Sequence, residues 1–409
     1  MNTGPQTILY ISRELERAMG MVPSATYRIV TNRTPYAEAV HAQYPDYVTL
    51  IEDTGKEAMG TGDLIIHPIT QKVIADIRTH TGQNPYILVF KNTLRIEPLA
   101  TSQGLTLLNP SAAIGEKIEN KLSQLSWLGP LSKYLPPHRV EITKNIRFTG
   151  TPFILQWAHG HTGGGTILIS REEELKAIQE KFPERRSRVT DFIQGSSFTV
   201  NVVVTADRII PSTVSYQITG LAPFTDSAFS TVGNDWSLAN SILNPSDKEW
   251  IKTVIAELGA KMHAEKWRGL FGIDMIRDEH SGKMYLIELN ARQPASSTYE
   301  SALQLKERAK GLSGLTTFEA HLKALVGESI KENIIPIKEG AQIVQRVTKN
   351  ISGYSEDAVG SLELAGFTVI AYENTKENED LIRIQSENGI MKGHNELGDV
   401  GQKICEILE

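Results

Sequence analysis

A single cysteine, Cys405, stands in 409 residues. That excludes an intramolecular disulfide and a cysteine metal cluster. Its neighbours Ile404, Ile407 and Leu408 suggest a buried structural thiol. Long apolar runs are also missing. The N-terminal run Ile8–Ile11 is followed at once by Arg13, Glu14, Glu16 and Arg17, too short for a signal-peptide core or a membrane span. A cytoplasmic protein without membrane contact is the expectation. Positive charge is not in excess either: the formal net charge of −6 gives no footing for general nucleic-acid binding. No internal repeat or low-complexity tract occurs. Two nucleotide signatures are absent as well, since no G-x-G-x-x-G follows the first strand-like run and no G-x-x-x-x-G-K-[ST] occurs. What remains is an ordinary globular balance, 40% hydrophobic and 22% charged, on a chain long enough for two or three domains.

The first hundred residues alternate short apolar runs with helical or loop segments. The runs are Ile8–Ile11, Tyr27–Val30, Tyr47–Ile51, Leu64–Ile66, Tyr86–Phe90 and Leu105–Leu108, and the rhythm predicts an open α/β sheet. Asn109-Pro110-Ser111 then opens a helix whose apolar positions Ile114, Ile118, Leu122 and Leu125 recur at helical spacing, with Lys117 and Lys121 beside the stripe. Residues 129–150 read as a connector. A strand at 153–157, a loop Ala158–Gly165 with three consecutive glycines, and a strand at 166–169 come next. Ser170 with Glu173, and Ser246 with Glu249, have the spacing of helix capping boxes. Strands are expected at 188–193 and 198–204. The segment 212–240 is rich in Thr, Ser, Gly and Asn and is expected to be a substrate or lid loop, or else an ordinary packed excursion. After residue 330 a last unit follows: strand 341–347, helix 355–364, strands 367–372 and 381–385, and helix 396–408.

The chemistry concentrates in a hairpin pattern that begins at Gly269. Two apolar runs flank Asp278-Glu279-His280-Ser281-Gly282. Alternation puts Leu286, Glu288 and Asn290 on one face of the second strand. A turn centred near His280 sets Asp274 opposite Leu286 on that same face. Two carboxylates and an amide that converge this way are held together most cheaply by a divalent cation. A solvated polar face would show the same alternation. The other face, Tyr285, Ile287 and Leu289, is apolar, and Arg292 follows among small residues, an anion-ready guanidinium beside a metal-ready cluster. The Gly-rich loop joins strand to strand, so it can offer backbone N–H groups to phosphates as a nest, or be a plain surface hairpin.

Taken in order, these parts resemble the ATP-grasp superfamily. The carrying features are the lysine-bearing helix, the strand–Gly loop–strand flap, and GIDMI…YLIELNAR with its E-x-N-x-R ending. The resemblance implies an α/β (α+β) ATP-grasp fold: an N-terminal open α/β domain over 1–108, a central two-subdomain module over 109–330 (flap about 109–193, metal and substrate subdomain about 194–330), and a small α/β cap over 335–409. It implies an ADP-forming, ATP-dependent ligase that makes a C–N bond through an acyl-phosphate. Asp274, Glu288 and Asn290 are implied ligands of two Mg²⁺ ions, with Mn²⁺ an alternative, and Arg292 the catalytic stabiliser. Lys121 and Gly163, Gly164 and Gly165 would contact phosphate, and Thr190, Asp191, Phe192 and Ile193 would receive adenine. The implied partners are a small-molecule carboxylate and amine, an amino acid or short peptide among them, with no nucleic acid and no membrane; a homodimer is allowed.

The chain departs from the family pattern at three positions. Gln156 stands where the flap strand usually has a phosphate-contacting lysine, Ser197 where a ribose-binding acid is usual, and Thr190 where the hinge has an acid. His159, His161 and Lys144 are candidates for the missing charge, and solvated roles are open to all three. Other family chemistries (a carboxylase, a kinase or a CoA ligase) and a nucleotide-binding regulatory protein without turnover are the alternative functions.

Overall fold

The computed structural model describes residues 6–52, 58–158 and 165–408. Strands β1 (Ile8–Ser12), β2 (Tyr27–Asn32), β3 (Val48–Ile51), β4 (Tyr86–Val89) and β5 (Thr106–Leu107) form one parallel sheet in the order β3-β2-β1-β4-β5. Helices cover it, and its strands are buried on both faces, as parallel sheets require. The strand order reverses between β1 and β4. Ligands of open parallel sheets bind outside the carboxyl ends at such a reversal. Arg17 lies just beyond β1 there, and Phe90 and Lys91 just beyond β4. The run Leu64–Ile66, expected as a strand, belongs to the helix Thr61–Ile66. Three apolar residues fit one helical turn as well as a strand, and periodicity cannot choose between them.

A smaller antiparallel sheet follows, built from β6 (His138–Ile142), β7 (Phe153–Gln156), β8 (Thr166–Ile169) and β9 (Arg186–Asp191) in the order β6-β9-β7-β8. Alternation divides its faces. Phe153, Leu155 and Val189 pack with Ile169 and Leu175 in a local core, while Ile154, Gln156, Arg188 and Thr190 line a cavity on the other side.

The large sheet comprises β10 (Gly195–Val204), β11 (Ile209–Pro211), β12 (Ser215–Thr219), β13 (Thr231–Asp235), β14 (Gly269–Asp278), β15 (Met284–Asn290), β16 (Ala341–Arg346), β17 (Thr368–Ala371) and β18 (Asp380–Ser386). Their order is β15-β14-β10-β12-β13-β16-β18-β17, with β11 on β10. Its main core joins β10, β12, β14, β15, β16 and β18 to the long helix Pro245–Ala264. The C-terminal strands therefore share this sheet through the β13–β16 pairing. The segment 212–240 holds β12, β13 and most of the helix Trp236–Ile242, which corrects the expectation of a loop. Its polar residues alternate along strands beside a cavity, which is why composition alone suggested a loop. Both capping boxes are displaced. The helix Glu172–Lys181 is capped through Arg171 and Glu174, and Pro245–Ala264 through Asn244 and Asp247, with Pro245 at the first helical position. Cys405 is half-buried and packs against the main core.

Gly195 joins the two β-systems. It pairs with Asp278, and a Cβ there would lie 2.0 Å from the Arg277 carbonyl oxygen, at φ +149. The turn between β9 and β10 thus rests directly on the end of β14, and only glycine allows that approach. Gly82 is a natural control, with φ +76 and open space around it. Gly82→Ala should cost about 1–2 kcal/mol, the penalty of a left-handed conformation alone. Gly195→Ala should cost more than about 3 kcal/mol, because backbone must also move. Urea unfolding of both variants checks this; equal costs would contradict the close packing of turn on hairpin.

Candidate active site

The β14–β15 hairpin closes with Gly282 at φ +70, and the Asp278 carboxylate accepts from the N–H groups of His280 and Ser281. Asp274 pairs directly with Glu288 rather than with Leu286: the turn is centred between His280 and Ser281, which shifts the register by one residue, and a bulge between Asp274 and Met275 shifts it by one more. The extra residue reverses the alternation of β15. Leu286 accordingly joins Leu289 in the main core, while Ile287 and Glu288 both line a cavity. The expected grouping of Leu286 with the acids is thereby corrected.

The two acids sit in contrasting surroundings. Asp274 is 8% exposed. Its Oδ1 accepts from Thr199 Oγ1 at 2.6 Å and its Oδ2 from Asn290 Nδ2 at 2.9 Å. Burial, and then the charge of Glu288, push it up from the ordinary 3.8 to about 6. Burial also pushes Glu288 up, but the Lys121 ammonium, 2.7 Å from Oε1, outweighs it together with Arg292 and Arg188 and holds it below the usual carboxylate range. Its side chain opens into the cavity and keeps 38% exposure. Among the described residues no cluster of three or more His, Cys, Asp or Glu side chains is arranged for a metal. The donor set here is two carboxylates and one amide. Hard oxygen donors around a buried acid that resists ionising fit a cation such as Mg²⁺ or Mn²⁺, whose shell waters and phosphate oxygens would complete.

Two cavities meet at this pair. One, of about 180 Å³, is lined by Gln156, Arg188, Thr190, Asp191, Phe192, Ile193 and Ser197, with apolar walls from Leu135, Ile154, Ile276 and Ile287. The other, of about 400 Å³, is lined by Lys121, Asn290 and Arg292, and reaches Arg17, Phe90 and Lys91 at the N-terminal sheet and Arg346, Asp380 and Arg383 on β16 and β18. Asp274, Glu288, Thr166, Gln217, Phe229 and Thr231 line both.

Lys121 does not lie on a continuous helix. The helix Ala112–Glu119 stops, and Ser123–Leu128 starts anew. Asn120 causes the break: its backbone is extended and its Oδ1 accepts from the N–H groups of Leu122 and Ser123. Lys121 is left at the joint, 7% exposed, with its N–H bonded to the Ala158 carbonyl. Arg292 pairs with Glu119, which also holds Lys91 at 2.6 Å. The carbonyl of Gly165 accepts from Trp157 N–H. Gly163, Gly164, His159 and His161 lie outside the described residues. Lys144 pairs with Glu184 at the surface, away from both cavities.

Sequence reasoning missed Arg188. It is 2% exposed; its Nε and Nη2 donate to Gln156 Oε1 at 3.0 and 2.6 Å, and its Nη1 to Gln124 Oε1 at 3.0 Å. Burial pulls it down to about 10, against the field of Glu288. The signal was available: period two from Thr190 puts Arg188 on the same face. Arg17, Lys91, Arg346 and Arg383 were missed for a different reason, since only the tertiary fold brings them to one cavity.

Asp274 sets up a test of site strain. An acid whose folded pKa exceeds its unfolded value costs stability once the pH passes the unfolded value, and costs it fully above the folded one. The window here runs from 3.8 to about 6. In chelator, Asp274→Asn should therefore be more stable than the parent by on the order of 2 kcal/mol at pH 8, with the gain fading toward pH 4. Urea unfolding at both pH values checks this; a gain that is the same at both would contradict it.

Comparison with known proteins agrees with this geometry. Residues 118–296 match a family model described as ATP-grasp domain. An L-amino acid ligase from Bacillus licheniformis has 13% identity and a TM-score of 0.64, over 99% of this chain and 98% of that one. A carboxyaminoimidazole ribonucleotide synthase from Aspergillus clavatus, solved with ATP, has 14% identity and a TM-score of 0.61, over 98% of each chain. No curated protein matches the chain. The family match over the central residues and the likeness of fold over the whole length agree: this chain carries an ATP-grasp domain within an ATP-grasp fold.

Proposed function

We propose that the protein is an ATP-dependent carboxylate–amine ligase that forms an amide or peptide bond with release of ADP and phosphate. One observation carries the reading: two cavities of different character open on the same two carboxylates. The smaller has apolar walls suited to a base and a polar end at Asp274 and Glu288. The larger is rich in cations, Arg17, Lys91, Arg292, Arg346 and Arg383, with Glu119 close to Lys91 and Arg292 and Asp380 close to Arg383. That mixture suits an acidic or zwitterionic substrate such as an amino acid or short peptide.

In this reading Asp274, Glu288 and Asn290 hold Mg²⁺, which when bound neutralises phosphate charge and orients the terminal phosphoryl group. Thr190 to Ile193 receive the base, and Ser197 faces the sugar. Lys121 exchanges its hold on Glu288 for a phosphate oxygen. A substrate carboxylate oxygen attacks the γ-phosphorus and the bond to ADP breaks, giving an acyl-phosphate. The amine nitrogen then attacks the acyl carbon and loses a proton, and inorganic phosphate leaves with the bonding pair. Arg292, in the larger cavity beside Glu119, stabilises the negative charge that develops on the transferred group. Residues 1–108 and 335–409 serve as the walls of the substrate cavity around the 109–330 module.

A screen of amino acid pairs for phosphate release should find at least one productive pair. With that pair, Glu288→Gln should lower kcat by at least about a hundredfold with the fold retained by circular dichroism. Unchanged turnover in Glu288→Gln would overturn the role of the acid pair. Binding of Mg²⁺–ATP with no turnover across the screen would favour a regulatory nucleotide-binding protein.

A further inference from the structure

The smaller cavity contains a cation with no ion-pair partner among the described residues. Arg188 is 2% exposed, and among the described residues no carboxylate lies within 4.0 Å of its guanidinium. Its recorded partners are two side-chain amides, those of Gln156 and Gln124. A guanidinium carries five N–H donors and keeps its charge at any physiological pH. Three donors are engaged here, so two N–H groups have no recorded acceptor among the described residues. An uncompensated buried charge is one of the more costly features a fold can keep. Amide dipoles soften that cost without cancelling the charge.

The position of this charge is informative. Arg188 on β9 is the direct cross-strand partner of Gln156 on β7. The family pattern expects its flap lysine at residue 156. A cation is therefore present one strand over from the expected place, and the residue at the expected place holds it by two hydrogen bonds to a single oxygen. Glu288 lines the same cavity and contributes its field to Arg188 without forming an ion pair with it. One cavity is therefore lined by a buried cation and by the acid pair that would hold a divalent cation, a combination that suits a polyphosphate.

We propose that Arg188 is the phosphate-binding cation of this cavity, replacing the flap lysine, and that Gln156 and Gln124 are positioning residues that orient its guanidinium. The inference rests on the nucleotide reading of the cavity and adds which residue supplies the charge. The planar fork can engage two phosphate oxygens at once, which a lysine cannot do. An internal strut between β7 and the helix Ser123–Leu128 would use the same amide contacts, so the test must separate ligand binding from stability.

The measurement is calorimetric titration of the full chain with ADP and with adenosine, in Mg²⁺, together with thermal melting. Arg188→Gln should weaken ADP binding by at least about tenfold and leave adenosine affinity within about twofold, so that the ADP-to-adenosine preference falls by the same factor. Gln156→Leu should lower that preference in the same direction by a smaller factor. The exchanged pair Gln156→Lys with Arg188→Gln should regain most of the lost ADP affinity. If Arg188→Gln does not fold, Arg188→Lys supplies the reading: the fork is lost and the charge kept, so ADP weakens and adenosine does not. ADP affinity within about twofold of the parent in folded Arg188→Gln, or in Arg188→Lys where that variant is used, would overturn the proposal and leave the ligase reading standing. A parent protein that binds neither ADP nor ATP would sink the nucleotide reading, and this inference with it.

Discussion

Two carboxylates set face to face in a partly dry environment constrain this molecule more than any other contact. Asp274 and Glu288 are cross-strand partners, and both meet the penalty of burial. Folding tolerates the arrangement because positive charge and hydrogen-bond donors are distributed around it. Thr199 and Asn290 donate to Asp274, and Lys121 donates to Glu288. A helix broken at Asn120 delivers that lysine, and a bulge in the hairpin delivers the pairing. Neither irregularity has an evident use for packing alone. Local departures from regular structure of this kind concentrate where function is served at the expense of stability.

Charge is layered outward from the pair. Lys121 touches Glu288 directly; Arg292 and Lys91 share Glu119 one step further out. The N-terminal sheet contributes Arg17 and Lys91 from its strand-order reversal, and the last strands of the large sheet contribute Arg346 and Arg383. Three stretches of chain far apart in sequence therefore meet in one cavity, while the smaller antiparallel sheet closes the other. Both cavities end on the acids. That topology would serve a reaction that moves a phosphoryl group from one bound molecule to another, and most of the catalytic effect would then come from positioning and fixed charge.

Much of this was legible in the sequence wherever side-chain period and local turn chemistry decide structure. The succession of elements along the chain and the hairpin at Asp278–Gly282 follow from apolar periodicity and turn chemistry, whereas the grouping of Thr190 to Ile193 with Ser197 comes from the family resemblance alone. The failures have identifiable causes. Leu286 was put on the acid face because a bulge inserts one residue and reverses the phase, and strict alternation cannot foresee that. Lys121 was put on a helix because the apolar stripe runs through Asn120, whose side chain offers the backbone a better local bond than the helix does. Leu64–Ile66 is too short for periodicity to decide. Arg188 sits on a strand that was recognised, yet an arginine facing inward is improbable from composition, since burial of that charge is rarely tolerated. The cations of the larger cavity depend on tertiary contacts that no local rule contains.

The central claim is that Asp274 and Glu288 are held together for a divalent cation that arrives with a nucleotide. Calorimetric titration of the full-length protein with ATP, in excess Mg²⁺ and again in chelator, tests it most directly. Removal of the divalent cation should weaken ATP binding by at least about tenfold, because the phosphates would then meet the charge of Asp274 and Glu288 with no cation to offset it. Equal affinity in both conditions would contradict it.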